Sequence, residues 1–216
     1  YHKTKLAINF MKVKMREYDE LKKEIEAEKD KKIFSWFLLM TIFDNLHKFN
    51  NKTVAIDDDL KSYKYKDLLK HSLLIKKFVM PRENVFLISE NSFSFLFIYA
   101  GLVINKNIVY LIDRSIKEDK FNILQNAHKP KFIFYPKEFQ KNINLSNSKF
   151  IDKRYLISST NYNYNYNFQK SISILLSTSG STGSPKFVKL SYLNIKDNTK
   201  KISDYLNIKS TDRTIT

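Results

Sequence analysis

The sequence predicts an α/β fold, a mainly parallel sheet with helices on both faces preceded by a charged helix, and three observations carry that expectation. From about residue 53, short runs rich in Val, Ile, Phe and Tyr alternate with longer stretches of helical apolar period. The stretches between those runs are long enough for the crossovers that parallel neighbours need, where a hairpin would need only a short turn. With 216 residues, 43% of them hydrophobic, the chain can also bury one sizeable core, or one domain plus an appendage.

Taken in order, Arg16 to Lys32 is dominated by charge, with Tyr18, Leu21 and Ile25 as a thin apolar stripe and Asp19/Lys23 and Glu28/Lys32 at i,i+4 spacing. It reads as a solvated helix within an N-terminal extension, residues 1–44; three apolar positions fall short of the sustained heptads of a coiled coil. Thr53 to Ile56 and Lys61 to Lys64 flank Asp57-Asp58-Asp59 and read as a small hairpin, its acidic cluster a solvated turn. Three consecutive aspartates cannot all face one ion from a strand, so no metal site is expected there. Tyr65 to Val79 reads as a helix ending at Pro81, Asn84 to Ser89 as a buried strand, and Asn91 to Ile104 as a helix capped by Asn91 or Ser92. Ile108 to Ile112 is the next strand, Lys117 to Ala127 the next helix and Lys131 to Tyr135 the strand after it. Asn161 to Asn167 alternates Asn with Tyr and is expected to be a loop, because asparagine disfavours strands and the tract is of low complexity.

Composition excludes several classes of function. There is no cysteine, so no disulfide framework, thiolate metal site or cysteine nucleophile exists in this chain, and a cytoplasmic setting is expected. No secretory signal pattern follows Tyr1, which stands where a complete chain would carry methionine, so the start is expected to be a fragment boundary. Ile33 to Phe43 is too short to span a bilayer, and Phe93 to Ile112 is interrupted by Asn105, Lys106 and Asn107, so neither is read as a span. The formal charge is +16, from 38 Lys plus Arg against 22 Asp plus Glu, yet only five residues are arginine and the lysines are scattered. A nucleic-acid footprint should be clustered and arginine-containing, so the excess is read as compositional and no nucleic-acid partner is expected.

One segment breaks with its surroundings. Ser171 to Leu176 is a β-type run that delivers the chain into Ser177-Thr178-Ser179-Gly180-Ser181-Thr182-Gly183-Ser184-Pro185-Lys186, and two of the chain's three glycines sit there. Glycine backbones reach φ > 0 and let their N–H groups approach an anion closely, forming a nest. The hydroxyls of Thr178, Ser179, Ser181 and Thr182 add donors, and Lys186 adds a positive charge. Composition alone thus describes a phosphate-gripping loop. It is not the Walker type, because Pro185 precedes Lys186 and Phe187, Val188 and Leu190 continue as a strand instead of a helix, which leaves no helix dipole to hold the anion.

Leu175 to Lys186 resembles the signature loop of the adenylate-forming superfamily, which includes acyl-CoA synthetases, adenylation domains of nonribosomal peptide synthetases and luciferases. Lys189 to Asn194 is similar to the family's strand end and helix start, with Tyr192 where many members have histidine, and Asp212-Arg213 to the turn before its next strand. Glu90-Asn91-Ser92, Tyr99-Ala100-Gly101, Val109 to Asp113, Ser115, Glu118 and Ile123-Leu124 resemble its early strand–helix–strand–helix stretch. The resemblance covers roughly residues 45–216, read as a partial N-terminal domain of such an enzyme. Lys106 departs from a usual glycine, Leu111 from a usual proline and Phe187 from a common glycine.

The resemblance implies activation of a small-molecule carboxylic acid by ATP. The carboxylate attacks the α-phosphate, giving an acyl-adenylate and pyrophosphate, and the acyl group then passes to coenzyme A or to the phosphopantetheine of an acyl or peptidyl carrier protein. By that resemblance Thr178, Ser179, Ser181 and Thr182 donate to phosphate oxygens, Gly180 and Gly183 let the loop close, and Lys186 offsets leaving-group charge as the one catalytic residue. The Mg2+ ligand, the ribose-holding aspartate and the C-terminal-domain lysine are expected beyond Thr216, so this chain by itself is expected not to adenylate. The alternative reading is a non-catalytic remnant or split-enzyme half that binds nucleotide or a partner chain.

Overall fold

A computed structural model describes residues 41–141, 145, 147–163, 167–177 and 187–214. The charged helix expected over residues 16–32 lies outside them. The first strands are the expected hairpin, β1 (Thr53–Ile56) and β2 (Ser62–Lys64), paired antiparallel. Its turn is closed by Asp57, whose carboxylate accepts the Lys61 N–H at 2.9 Å and the Tyr63 hydroxyl at 2.9 Å. Helix α1 (Tyr65–Leu74) tightens into a 3-10 turn over Ile75–Lys77, so the helical stretch expected to Val79 is present with its last turn overwound.

Seven strands form the main sheet: β3 (Asn84–Ile88), β4 (Ile108–Ile112), β5 (Phe132–Pro136), β6 (Ser148–Phe150), β7 (Tyr155–Ser159), β8 (Ile172–Ser177) and β9 (Phe187–Ser191). Their order is β6-β7-β5-β3-β4-β8-β9. The central pairs β5-β3, β3-β4 and β4-β8 are parallel, as expected. The outer pairs β6-β7, β7-β5 and β8-β9 are antiparallel, so the sheet is mixed, with a parallel centre. The reason is chain length: β6 and β7 are joined by a turn too short for a crossover, and β9 returns directly on β8. Neither β6 nor β7 was expected from the sequence.

The remaining α-helices among the described residues are α2 (Phe93–Ile104), α3 (Glu118–His128) and α4 (Tyr192–Tyr205), with short 3-10 turns at Leu46–Phe49 and Lys137–Lys141. α2 is capped by Ser92, whose hydroxyl accepts the Phe95 N–H at 3.2 Å, and α4 by Ser191, which exchanges bonds with Asn194 at 3.0 and 3.1 Å. α3 opens on Glu118 and Asp119, which face the positive end of its dipole.

Period-two alternation divides the core. Val85 and Leu87 of β3 and Val109 of β4 join Phe97, Ile98, Ala100 and Leu102 of α2 and Leu68 of α1 on one face. Phe86, Ile88, Tyr110 and Ile112 join Phe121 and Leu124 of α3 on the other. All five residues of β3 are buried, as a strand covered on both faces must be.

Two contacts fix α1 against α2. Ser72 Oγ donates to the Phe97 carbonyl at 3.1 Å, and a Cβ added to Gly101 would lie 2.5 Å from the Ser72 carbonyl oxygen and 2.5 Å from Ile75 Cγ1. Here glycine is required by close approach. Asn105 and Asn107 make the turn out of α2: Asn105 Nδ2 donates to the Val79 carbonyl at 2.8 Å and Asn107 Nδ2 to the Met80 carbonyl at 2.6 Å. The apolar stretch from Phe93 to Ile112 is therefore a helix and a strand joined by a buried polar turn. Among the described residues no helix is long and apolar enough to cross a membrane.

Gly101→Ala is expected to destabilise the fold by about 2 kcal/mol, because a clash with a backbone oxygen cannot be relieved by a rotamer change and outweighs the roughly 1 kcal/mol helix-propensity gain of alanine. Urea unfolding followed by circular dichroism measures it.

Candidate functional site

The carboxyl ends of the parallel strands set the site. α2 follows β3 onto one face of the sheet and α3 follows β4 onto the other, so the two connecting loops diverge and leave a crevice between the ends of β3 and β4. In open α/β sheets such a divergence is where ligands bind. The crevice measures about 310 Å3 and is lined by Ser89, Glu90 and Asn91 after β3, Asp113 and Arg114 after β4, and Asp58 and Arg154.

Its polar groups are held in place by local chemistry. Asp113 accepts the Ser115 N–H at 2.7 Å and the Ser115 hydroxyl at 2.6 Å, an Asx turn whose hydrogen bonds hold its carboxyl below the usual carboxylate range. Arg114 Nη1 donates to Glu90 Oε1 at 3.4 Å, while Glu90 Oε2 is buried without a hydrogen-bond partner. Below them the Tyr155 hydroxyl reaches across from β7 to the Ile88 carbonyl at 2.8 Å, and burial pushes that phenol well above its ordinary pKa. The crevice thus offers a fixed anion, an orphaned carboxylate oxygen and two guanidinium groups, a set suited to a polar ligand carrying both donors and negative charge.

The loop expected to grip phosphate, Thr178, Ser179, Gly180, Ser181, Thr182, Gly183 and Lys186, lies outside the described residues. Its two anchors do not. Ser177 ends β8 directly opposite Phe187, the first residue of β9, so the chain leaves and re-enters the sheet at one point. β8 runs parallel to β4 with Leu176 level with Leu111, which puts that point at the carboxyl edge, one strand from the crevice. At about 4.8 Å per strand, the loop anchors and the crevice stand roughly 10 Å apart. The two strands expected on either side of that segment are present.

Two of the residues that depart from the resembled pattern, Lys106 and Phe187, make aromatic contacts. Lys106 sits at φ 62, in the left-handed region that favours glycine. Its ammonium lies 4.8 Å from the ring centre of Tyr192, the residue that replaces histidine, and burial lowers its pKa against an opposing pull from Asp44. Phe187 packs edge-on against Tyr110 at 5.0 Å and His128 at 4.8 Å, so an aromatic in place of glycine pins the return strand to the α3 face of the core. Arg82, also in the left-handed region at φ 67, fastens the lead into β8 by donating to the Ile172 carbonyl at 3.0 Å and the Gln169 carbonyl at 3.1 Å.

The crevice residues were not singled out in the sequence as a site. Glu90, Asn91 and Asp113 stand at strand ends, but only the strand order shows that β3 and β4 are neighbours with diverging loops. For Arg154, which arrives from the β6–β7 turn, no sequence signal exists.

Burial lowers the pKa of His128, whose ring packs against Tyr110 and Phe187. The unfolded chain therefore binds a proton more readily than the folded one, and stability should be level above pH ~6.5, the ordinary imidazole value, and fall as pH drops below it. Unfolding midpoints measured from about pH 8 to about pH 5, across the imidazole range, should show this slope, and His128→Phe should flatten it.

Scans against protein-family models and against curated proteins returned no match. Solved structures do match. A long-chain-fatty-acid-CoA ligase (FadD1) from Archaeoglobus fulgidus aligns with TM-score 0.61 and 17% identity over 79% of this chain and 40% of its own. O-succinylbenzoate coenzyme A synthetase (MenE) from Bacillus subtilis, in complex with AMP, aligns with TM-score 0.57 and 16% identity over 78% of this chain and 47% of its own. McyG A-PCP complexed with phenylalanyl-adenylate aligns with TM-score 0.53 and 19% identity over 79% of this chain and 30% of its own. The chain spans half or less of the length of these proteins. Over 78% to 79% of the chain, its fold is the α/β fold of these structures.

Proposed function

We propose that this chain is the front of the large domain of an AMP-forming acid–thiol ligase and carries its triphosphate grip. The observation that supports the reading is the position of Ser177 and Phe187, the residues between which segment 178–186 falls. A Ser/Thr/Gly segment ending in Pro-Lys joins two paired strands at the carboxyl edge of a sheet with the adenylate-former fold. Thr178, Ser179, Ser181 and Thr182 donate to the β- and γ-phosphate oxygens, Gly180 and Gly183 bring backbone N–H groups within reach of them, and Lys186 faces the charge that builds on the leaving group.

In the overall reaction a carboxylate oxygen bonds to the α-phosphorus of ATP, the bond to the bridging oxygen breaks, and pyrophosphate departs with the electron pair. Transfer of the acyl group to a thiol of coenzyme A or a carrier-protein phosphopantetheine then releases AMP. Mg2+ supplies charge neutralisation at the phosphates when bound; among the described residues no group of three acidic or imidazole side chains is placed to hold it. This chain's own residues bind and orient the triphosphate, and none of them needs to act as acid, base or nucleophile.

A second reading, a split half or remnant that docks a partner chain, is favoured by β9. It is one of the two edges of the described sheet, and its own Val188 and the neighbouring Leu176 of β8 are 46% and 37% exposed. An edge with apolar flanks is a template for another chain.

ATP binding by the 216-residue chain, followed by equilibrium dialysis with magnesium, tests the grip. Lys186→Ala should weaken it about tenfold, the scale of one charge-assisted contact, and Thr182→Ala by a smaller factor. Unchanged affinity in Lys186→Ala contradicts the assignment.

A further inference from the structure

The outward side of α1 and the turn that follows has a composition that the ligase reading does not use. Leu68, Ser72, Ile75 and Val79 are buried, which turns the opposite side of the helix to solvent. On that side Lys66, Lys70, Leu73 and Lys77 recur at i,i+4,i+7,i+11 and are all exposed. Large apolar groups stand among them: Leu73 is 44% exposed, Leu74 37%, Phe78 37% and Met80 68%. The one carboxylate of the helix, Asp67, is engaged at its N-terminus, where it accepts the Lys64 N–H at 2.8 Å, and no acidic residue occurs between Leu68 and Arg82. Arg82 itself is turned away to backbone carbonyls of the lead into β8.

Solvated helix faces carry lysines together with carboxylates and seldom cluster four large apolar side chains. Beyond the capping Asp67, this face has lysines without carboxylates and apolar groups standing between them. A protein interface of this size would deplete lysine at its centre, and a nucleic-acid site would use arginine and stacking aromatics. Ammonium groups alternating with aliphatic side chains instead match the head-group layer of an anionic bilayer, where lysines meet phosphates and apolar groups sink to the acyl boundary.

We propose that the outer face of α1 and the turn through Met80 is a docking surface for an anionic membrane. It lies on the part of α1 turned away from α2 and the sheet, so docking leaves the carboxyl edge of the sheet unoccupied. The inference is independent of the ligase reading and stands or falls by its own test.

The full chain is sedimented with phosphatidylcholine vesicles, with and without phosphatidylserine, at low and high salt. Binding that requires phosphatidylserine and weakens with salt is expected. Lys76→Glu with Lys77→Glu should weaken it by on the order of tenfold or more, whereas Lys200→Glu with Lys201→Glu, the same charge change on exposed residues of α4, should shift it far less. Leu73→Ser with Met80→Ser should remove the binding that survives high salt, with circular dichroism confirming that each variant is folded. Equal losses from the two lysine pairs would assign binding to diffuse net charge and overturn the proposal. So would the absence of phosphatidylserine-dependent binding, or self-association of the wild-type chain that Leu73→Ser with Met80→Ser abolishes.

Discussion

β3 places every other element, because it is hydrogen-bonded to parallel neighbours on both edges and buried on both faces. Parallel neighbours cannot be reached by hairpins, so the chain must cross over after each strand. Both faces of β3 need an apolar cover, so α1 and α2 take one face and α3 the other. The divergence of the loops after β3 and β4, and hence the crevice, follows from that division of labour. So does the position of Ser177 and Phe187, since β8 pairs with the far edge of β4 and must end where β4 ends. The candidate ligand surface is therefore a product of topology, and its side chains are whatever occupies the strand ends.

Glycine scarcity imposes a second constraint. The chain contains three glycines, one held by close helix packing and two in the Ser/Thr/Gly segment, so turns requiring φ > 0 fall to other residues. Leu60, Arg82, Lys106, Lys129, Asn147 and Asn207 all adopt it. Each left-handed L-residue costs roughly 1–2 kcal/mol. Several are compensated by what the side chain does: Arg82 binds carbonyls across the sheet, and Lys106 lies over Tyr192. Gly180 and Gly183 stand where the proposed phosphate grip needs close backbone approach, while ordinary turns do without glycine.

Where a segment carried a strong period, the sequence was legible. Ile108 to Ile112 is a strand at the expected bounds, and α2 and α3 differ from expectation by one or two residues at their ends because the cap, Ser92 in α2, sets them. The edges were not legible. Ser148–Phe150 is a three-residue strand with no internal alternation, and Tyr155–Ser159 reads as a short apolar run that has no partner until the fold supplies β5. The Ser/Thr/Gly segment was legible because its chemistry is local, a run of donors and glycines in one stretch. The crevice was not, because Glu90, Arg114 and Arg154 come together only through strand order and a distant turn.

Mapping the backbone amides of the isotopically labelled chain by NMR during an ATP–magnesium titration tests the central claim most directly. The account predicts saturable shifts concentrated in residues 178–186 and their anchors Ser177 and Phe187, with smaller changes in the neighbouring crevice and none along α1. Saturable shifts that leave residues 177–187 unmoved, or no saturable shift at any residue, would contradict it.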